Sequence, residues 1–327
     1  MNTCDLNNLS NNSEIKYKSA FLMLYLGTLP AYFDFWAKSC TSNWDTFHWY
    51  VYNDHVKQKF DYNKAVTLIP YNFSKLCNDL KCELGINIPH ESSRIVCDCR
   101  IILYALRKKD DSLENYDFIG YSDIDVIYGS IKNFMPDNPF QYSLISADNN
   151  RPCGPFTLFN QKYLKKILTH NHIKSRLEQN FGNQIYQSDI YKAPLSTFKP
   201  ISGNTVKDQI ANMINFEHLD ESKELINIAE LYAPVFCCSH HLQPAISRCF
   251  NHRKAIGFWE NGKLRVMDNR GHIKEGAFFH FSRFKNRNRF KVDSSVLSSN
   301  RWGIYKYGFI ELKSNLTKLK MLLTLLY

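Results

Sequence analysis

The sequence predicts an α/β fold built on a doubly wound, mostly parallel sheet flanked by helices. Short segments rich in β-branched and aromatic residues alternate with segments of helical spacing through the first half of the 327-residue chain. One apolar segment, Phe118-Ile119-Gly120-Tyr121-Ser122, ends in Asp123-Ile124-Asp125, and doubly wound sheets gather ligand-binding groups beyond the carboxyl ends of their strands. A hydrophobic content of 44%, with 14% aromatic residues, supplies the core of one large domain rather than two equal ones.

Each element follows from local pattern. Residues 17–26 read as a first buried strand, closed by a turn at Gly27 and Pro30. Residues 31–40 then set Phe33, Trp36, Ala37 and Cys40 at helical spacing. Residues 47–53 and 65–69 are the next strands, and residues 73–84 a helix that stops before the loop from Gly85 to Pro89. Residues 93–107 read as a helix, and residues 118–122 as the strand that presents the aspartates. Residues 142–146 and 156–159 are two further strands, followed by a helix over 162–181. The pattern then weakens: residues 219–232 suit a helix, 257–267 a hairpin turning at Asn261-Gly262, and 277–281 a strand. Residues 313–327 combine Lys313, Lys318 and Lys320 with a leucine-rich face. They predict a C-terminal helical extension that either packs on the domain or lies on a membrane surface.

Composition narrows the function classes. A net charge of +10 favours anionic partners. Nucleic acid is not expected, because the basic residues form no long tract and no helix-turn-helix, RNP or zinc-finger pattern is present. Residues 1–16 form a polar, Asn-rich segment that reads as flexible and lacks the features of a secretory signal, which places the chain in the cytoplasm. No run of about 18 uncharged apolar residues predicts a spanning helix. The ten cysteines show no C-x-x-C spacing and read as buried thiols, and the adjacent His240 and His241 lack the spacing of a zinc site.

Side chains at i and i+2 of an extended segment share a side, so Asp123 and Asp125 are placed to converge on one hard divalent cation. Such an ion also binds diphosphate oxygens and neutralises charge that grows as a sugar–phosphate bond breaks. The tripeptide alone is weak, since Asp also favours ordinary turns. The apolar strand before it and Gly129 just after it strengthen the reading.

Several blocks carry a resemblance. Leu24-Tyr25-Leu26-Gly27-Thr28-Leu29-Pro30, then Tyr32-Phe33-Asp34-Phe35-Trp36 and Ser39-Cys40, resemble the opening of a bacterial family of glycosyltransferase-like proteins from polysaccharide clusters. The aspartate segment, Cys97-Asp98-Cys99-Arg100, the strand Gly154-Pro155-Phe156-Thr157-Leu158-Phe159-Asn160, and Phe279-His280-Phe281 with Arg283 and Lys285 resemble its later blocks. Cys99 and Arg100 depart from that family's usual residues. The resemblance implies a GT-A type fold over residues 17–290, with a nucleotide-sugar-binding half over 17–130, an acceptor half over 131–290 and an extension over 291–327.

It further implies a metal-dependent transferase that moves a sugar, UDP-linked by expectation, to a surface polysaccharide or lipid-linked oligosaccharide. Leu26, Gly27 and Thr28 would approach the nucleotide, Asp54 its base or ribose, and Asp98 and Arg100 would supply polar contacts. Asp123, Asp125 and His280 would hold Mn2+ or Mg2+, with Asp123 also facing the nucleotide, and Arg283 and Lys285 would hold the diphosphate. If the reaction inverts the anomeric centre, the acceptor base would come from Asp148, Asp189, Glu217 or Asp220, and the resemblance favours Asp189. Two rival readings stand: a sugar nucleotidyltransferase, which the lack of a basic Gly-rich loop after the first strand disfavours, and a non-catalytic protein binding carbohydrate or nucleic acid.

Overall fold

Alternation along β1 (Ser19–Leu24) decides the layering, because all six of its residues are buried and successive side chains enter different cores. In the computed structural model, which describes residues 16–87, 99–108, 111–146, 155–168, 228–230, 256–267, 273–285 and 288–312, Phe21 and Met23 face one cluster and Ala20, Leu22 and Leu24 the other. The neighbouring β2 (Phe47–Asn53) repeats the division, with Phe47, Trp49 and Val51 on the first side and Tyr50 and Tyr52 on the second.

The main sheet has the order β3-β4-β2-β1-β5-β8-β7-β9. Its new members are β3 (Phe60–Asn63), β4 (Val66–Pro70), β5 (Phe118–Ser122), β7 (Leu144–Ser146), β8 (Phe156–Asn160) and β9 (Ile228–Glu230). The central block β4-β2-β1-β5 is parallel, as is β7-β9, whereas β3-β4, β5-β8 and β7-β8 are antiparallel. The sheet is therefore mixed, with a parallel central block. The connection from β7 to β8 is too short for the helical crossover that parallel neighbours require, so β8 returns antiparallel.

One face of the sheet is covered by α2 (Phe73–Leu84), through Leu76, Leu80 and Leu84, and by α3 (Ile102–Arg107), through Ile102, Leu103 and Tyr104. α4 (Gln161–Ile167) adds Leu164 to the same layer. The ends of α2 match the sequence reading because both caps are local. The Asn72 side chain accepts from the Lys75 N–H, and Gly85, at φ 65°, sends its own N–H back to the carbonyls of Leu80 and Lys81.

The opposite face carries α1 (Phe33–Thr41) and a second, antiparallel sheet. That sheet has the order β12-β11-β10-β14-β15, formed by β10 (Ile256–Glu260), β11 (Lys263–Met267), β12 (Ile273–Glu275), β14 (Arg301–Tyr305) and β15 (Gly308–Glu311). The β10–β11 hairpin turns at Asn261-Gly262 as expected, both residues having positive φ (49° and 82°). Trp259, Leu264, Val266, Trp302, Ile304 and Phe309 project from this sheet into the core beneath the main one.

Two element expectations are corrected. Residues 228–230, read as part of a helix, form β9, because pairing with β7 outweighs the local helical pattern. Residues 301–311, assigned to the C-terminal extension outside the domain, form the β14–β15 hairpin, and its pairing with β10 carries the packed body through Leu312. The helix read over 93–107 is described only as α3, and that over 162–181 only as α4, since residues 88–98 and 169–181 lie outside the described residues. Residues 1–15 and 313–327 lie outside them too.

Candidate metal centre

The chain leaves the main sheet at Ser122 and enters a separate two-stranded pairing, and the two aspartates lie at the break. Past them, β6 (Val126–Tyr128) runs antiparallel to β13 (Phe278–His280), with Val126 opposite His280. The Phe281 N–H donates to the Asp125 carbonyl at 3.0 Å, which extends this pairing to the second aspartate. Buried polar groups of α1 and of the turn just past it fix the strand that follows. The Ser39 hydroxyl accepts the Tyr128 N–H at 3.1 Å, while Asn43 donates to the Gly129 carbonyl at 2.9 Å and accepts the Ile131 N–H at 2.9 Å. The Trp259 indole donates to the Tyr128 carbonyl at 3.0 Å. Gly129 suits this approach, since a Cβ there would lie 2.6 Å from the Gly276 carbonyl oxygen.

The result is a convergence of Asp123, Asp125 and His280, whose ligand atoms all lie within 4.8 Å of one another. His280 Nε2 is 3.3 Å from Asp125 Oδ1 and 3.9 Å from Asp123 Oδ2. Each carboxylate is held by a cation through its other oxygen. Lys285, on α5 (Ser282–Lys285), reaches Asp125 Oδ2 at 2.7 Å, and Arg100 reaches Asp123 Oδ1 at 2.8 Å while also donating to the Ser122 carbonyl at 2.8 Å.

These positions fit a divalent ion. Adjacent ligands of an octahedral ion, each about 2.1 Å from it, are about 3 Å apart, so small adjustments would seat Asp123 Oδ2, Asp125 Oδ1 and His280 Nε2 as neighbours. Two hard oxygens with one imidazole nitrogen suit Mn2+ better than Mg2+, which favours oxygen. Carboxylates oriented by hydrogen bonds to their outer oxygens are the usual support for such ligands.

The electrostatics agree with an ionised centre. Burial works against the Asp125 charge, but His280 and Lys285 more than offset it and hold this carboxyl below the usual range. Tyr32 borders the site, with its ring edge-on to Phe281 at 5.0 Å. Burial pushes its phenol up, reinforced by Asp125, Tyr25 and Asp123. Tyr32 belongs to one of the sequence blocks, but an isolated tyrosine carries no signal that it will border carboxylates distant in sequence.

Other predicted residues take different places. Gly27 has φ +104° and open space around it, yet its N–H donates to Asp54 Oδ1 at 2.6 Å. Asn53 ties down the same loop by donating to the carbonyls of Tyr25 and Gly27. Asp54 thus holds the loop and engages the Gly27 amide. Leu26 is half-buried against the helical layer and Thr28 is exposed. Arg100 and Lys285, expected to meet nucleotide and diphosphate, each hold one of the two aspartates. Asp98, Asp148, Asp189, Glu217, Asp220 and the side chain of Arg283 lie outside the described residues.

A family model matches residues 21–313, a span that contains both aspartates, His280, Arg100 and Lys285. The chain belongs to the family of unknown function DUF6625. No curated protein and no solved structure matches it. Within the family's span the described residues contain one such group of candidate metal ligands, and among them no helix is long and apolar enough to cross a membrane.

Proposed function

We propose that the chain is a metal-dependent, GT-A type glycosyltransferase that moves a sugar from a nucleotide diphosphate donor, UDP-linked, to a polysaccharide or lipid-linked oligosaccharide at the cytoplasmic face of a membrane. The observation that carries this reading is the meeting of Asp123 and Asp125, at the carboxyl end of a central strand, with His280 from a distant strand. Open α/β sheets bind ligands at that edge. The mixed sheet, with an antiparallel strand beside the aspartate strand, is compatible with the GT-A reading.

In this reading Asp123, Asp125 and His280 hold Mn2+, with Mg2+ the weaker alternative. When bound, the cation neutralises charge that collects on the departing diphosphate. Arg100 anchors Asp123 through its 2.8 Å contact and Lys285 anchors Asp125, which would leave the other carboxylate oxygens to hold the ion. Tyr32 and Phe281, both buried and packed edge-on to one another, border the site, and charge interactions strengthen where water is scarce.

The deciding experiment is a donor screen with purified protein, following nucleotide release with and without Mn2+ and the mass of the acceptor. Metal-dependent release of UDP, with a hexose-sized or related gain on the acceptor, is expected. Pyrophosphate release would assign the chain to nucleotidyl transfer. Metal-independent oligonucleotide binding with a steep salt dependence, and no turnover, would replace the proposal with a binding function.

A further inference from the structure

Three of the exposed large aromatic side chains lie in one row beside α1. Phe60 and Tyr62 are 41% and 39% exposed on β3, the edge strand of the main sheet, and Trp44, in the turn past α1, is 54% exposed. In β3, Phe60 pairs with Leu68 and Asn63 with Val66, whose side chains belong to the core on the α1 side of the sheet. The Tyr62 ring packs nearly perpendicular to Phe33 at 5.1 Å, its hydroxyl donates to Asp34, and the Asn63 amide donates to the Ala37 carbonyl at 3.0 Å. Just past the strand, the Lys64 ammonium lies 5.2 Å from the Trp44 ring centroid and ties the last member of the row to the others. From Phe60 to Lys64 the backbone spans about 13 Å.

The row is fastened in place and begins close to the metal centre. On the other face of β3, Asp61 accepts from the Thr67 hydroxyl at 2.6 Å, and Thr67 lies 2.8 Å from His48 Nε2. Side chains ordered before binding lose little freedom when a ligand arrives. Phe33, which Tyr62 meets, follows Tyr32 in the chain, and Tyr32 borders the aspartates. Charges in and beside the row come in both signs, Asp34, Asp45 and Asp61 against Lys59 and Lys64, although the chain as a whole carries +10. A surface for anionic lipid or nucleic acid collects cations instead, and three side chains fall well short of the roughly 800 Å2 per partner of a stable protein interface. Sugar rings fit better, because their C–H faces are apolar and pack on aromatic rings while their hydroxyls stay in water. We propose that Phe60, Tyr62 and Trp44 form a binding platform for a linear, uncharged oligosaccharide that leads toward the metal centre. The inference names the acceptor chemistry of the proposed transferase and rests on that reading for the role of the bound chain.

The test uses the full chain and the quenching of its tryptophan fluorescence by acrylamide. Of the five tryptophans, Trp36, Trp49, Trp259 and Trp302 are 3% exposed or less, so the quencher reports on Trp44. Maltohexaose, cellohexaose and glucose are the probes. A hexasaccharide should shield Trp44 saturably, and glucose at the same concentration should not, since one ring cannot span the row. Phe60→Ala should weaken hexasaccharide binding by about three- to tenfold with an unchanged melting temperature. Phe60→Leu keeps an apolar side chain but loses the ring, and should weaken it as much.

Absence of shielding by both hexasaccharides would overturn the inference, as would equal affinity of wild type and the two Phe60 variants. Shielding by anionic vesicles but by neither hexasaccharide would make the row a membrane contact, and shielding that grows with protein concentration alone would make it a contact between copies; either result overturns the oligosaccharide platform. Hexasaccharide binding with no turnover in the donor screen would keep the platform and remove the transferase. Turnover whose acceptor KM is unmoved by Phe60→Ala would keep the transferase and remove the platform.

Discussion

Asp125 is the residue on which the functional reading depends most, since it contacts His280 and Lys285 at once and is almost wholly buried. Asp125→Ala should lower turnover by about a hundredfold or more, because it removes an oxygen ligand where diphosphate charge develops. Asp123, more exposed at 19% and also tied to Arg100, should show a smaller loss. Near-normal rates for both variants at saturating Mn2+ would dismiss the site. His280→Ala should raise the Mn2+ concentration needed for half-maximal activity, and an unchanged titration with a large fall in melting temperature would make this histidine a packing residue. Acid adds an independent readout. A carboxyl held below its ordinary value of 3.8 contributes stability that is complete above that value and is lost as pH falls below it. The melting-temperature gap between wild type and Asp125→Asn should therefore narrow as pH falls below 3.8; a gap that widens on acidification contradicts the ionised assignment. At this scale the sequence pointed to Asp123 and Asp125 through their spacing and to His280 through resemblance. It did not reveal that Arg100 and Lys285 bind those same carboxylates, because the contacts join residues far apart in the chain.

Elements were legible where their signals are local and opaque where pairing decides. α2 carries its own start and stop in Asn72 and Gly85, and the β10–β11 hairpin carries its turn in Asn261-Gly262, so both could be placed from sequence. β6 is three residues long and exists because it pairs with β13, while β9 overrode a helical pattern by pairing with β7. The strand that presents the aspartates depends on a close approach of the same long-range kind. A Cβ on Gly120 would lie 1.8 Å from the Thr157 carbonyl oxygen on β8, a backbone atom that cannot turn aside. Gly120→Ala should thus destabilise the protein by about 3 kcal/mol. Denaturant unfolding measures this directly, and a loss below about 0.5 kcal/mol, the ordinary range for unconstrained sites, would mean that β5 and β8 are not so tightly apposed.

At the scale of the whole molecule, the second sheet makes the C-terminal part of the chain inseparable from the site. Trp302, Ile304 and Phe309 enter the same core as Phe21, Trp49, Val126 and Phe279, so the hairpin β14–β15 supports the strands that carry Asp125 and His280. Trp302 stacks on Trp259 at 4.9 Å, and Trp259 in turn donates to the Tyr128 carbonyl at the end of β6. Removing residues 291–327 would expose this aromatic face and should abolish cooperative unfolding, since burying one large aromatic side chain contributes roughly 2–3 kcal/mol. Removing only residues 313–327 leaves both sheets whole and isolates the lysine- and leucine-rich terminus. If that terminus brings the site to a lipid-linked acceptor, the shorter truncation should weaken binding to anionic vesicles more than to neutral ones, with turnover on a short soluble acceptor retained. Equal vesicle binding by full-length and truncated protein would refute the anchor. Joint loss of solubility and soluble-acceptor turnover would instead make residues 313–327 part of the packed body that ends, among the described residues, at Leu312.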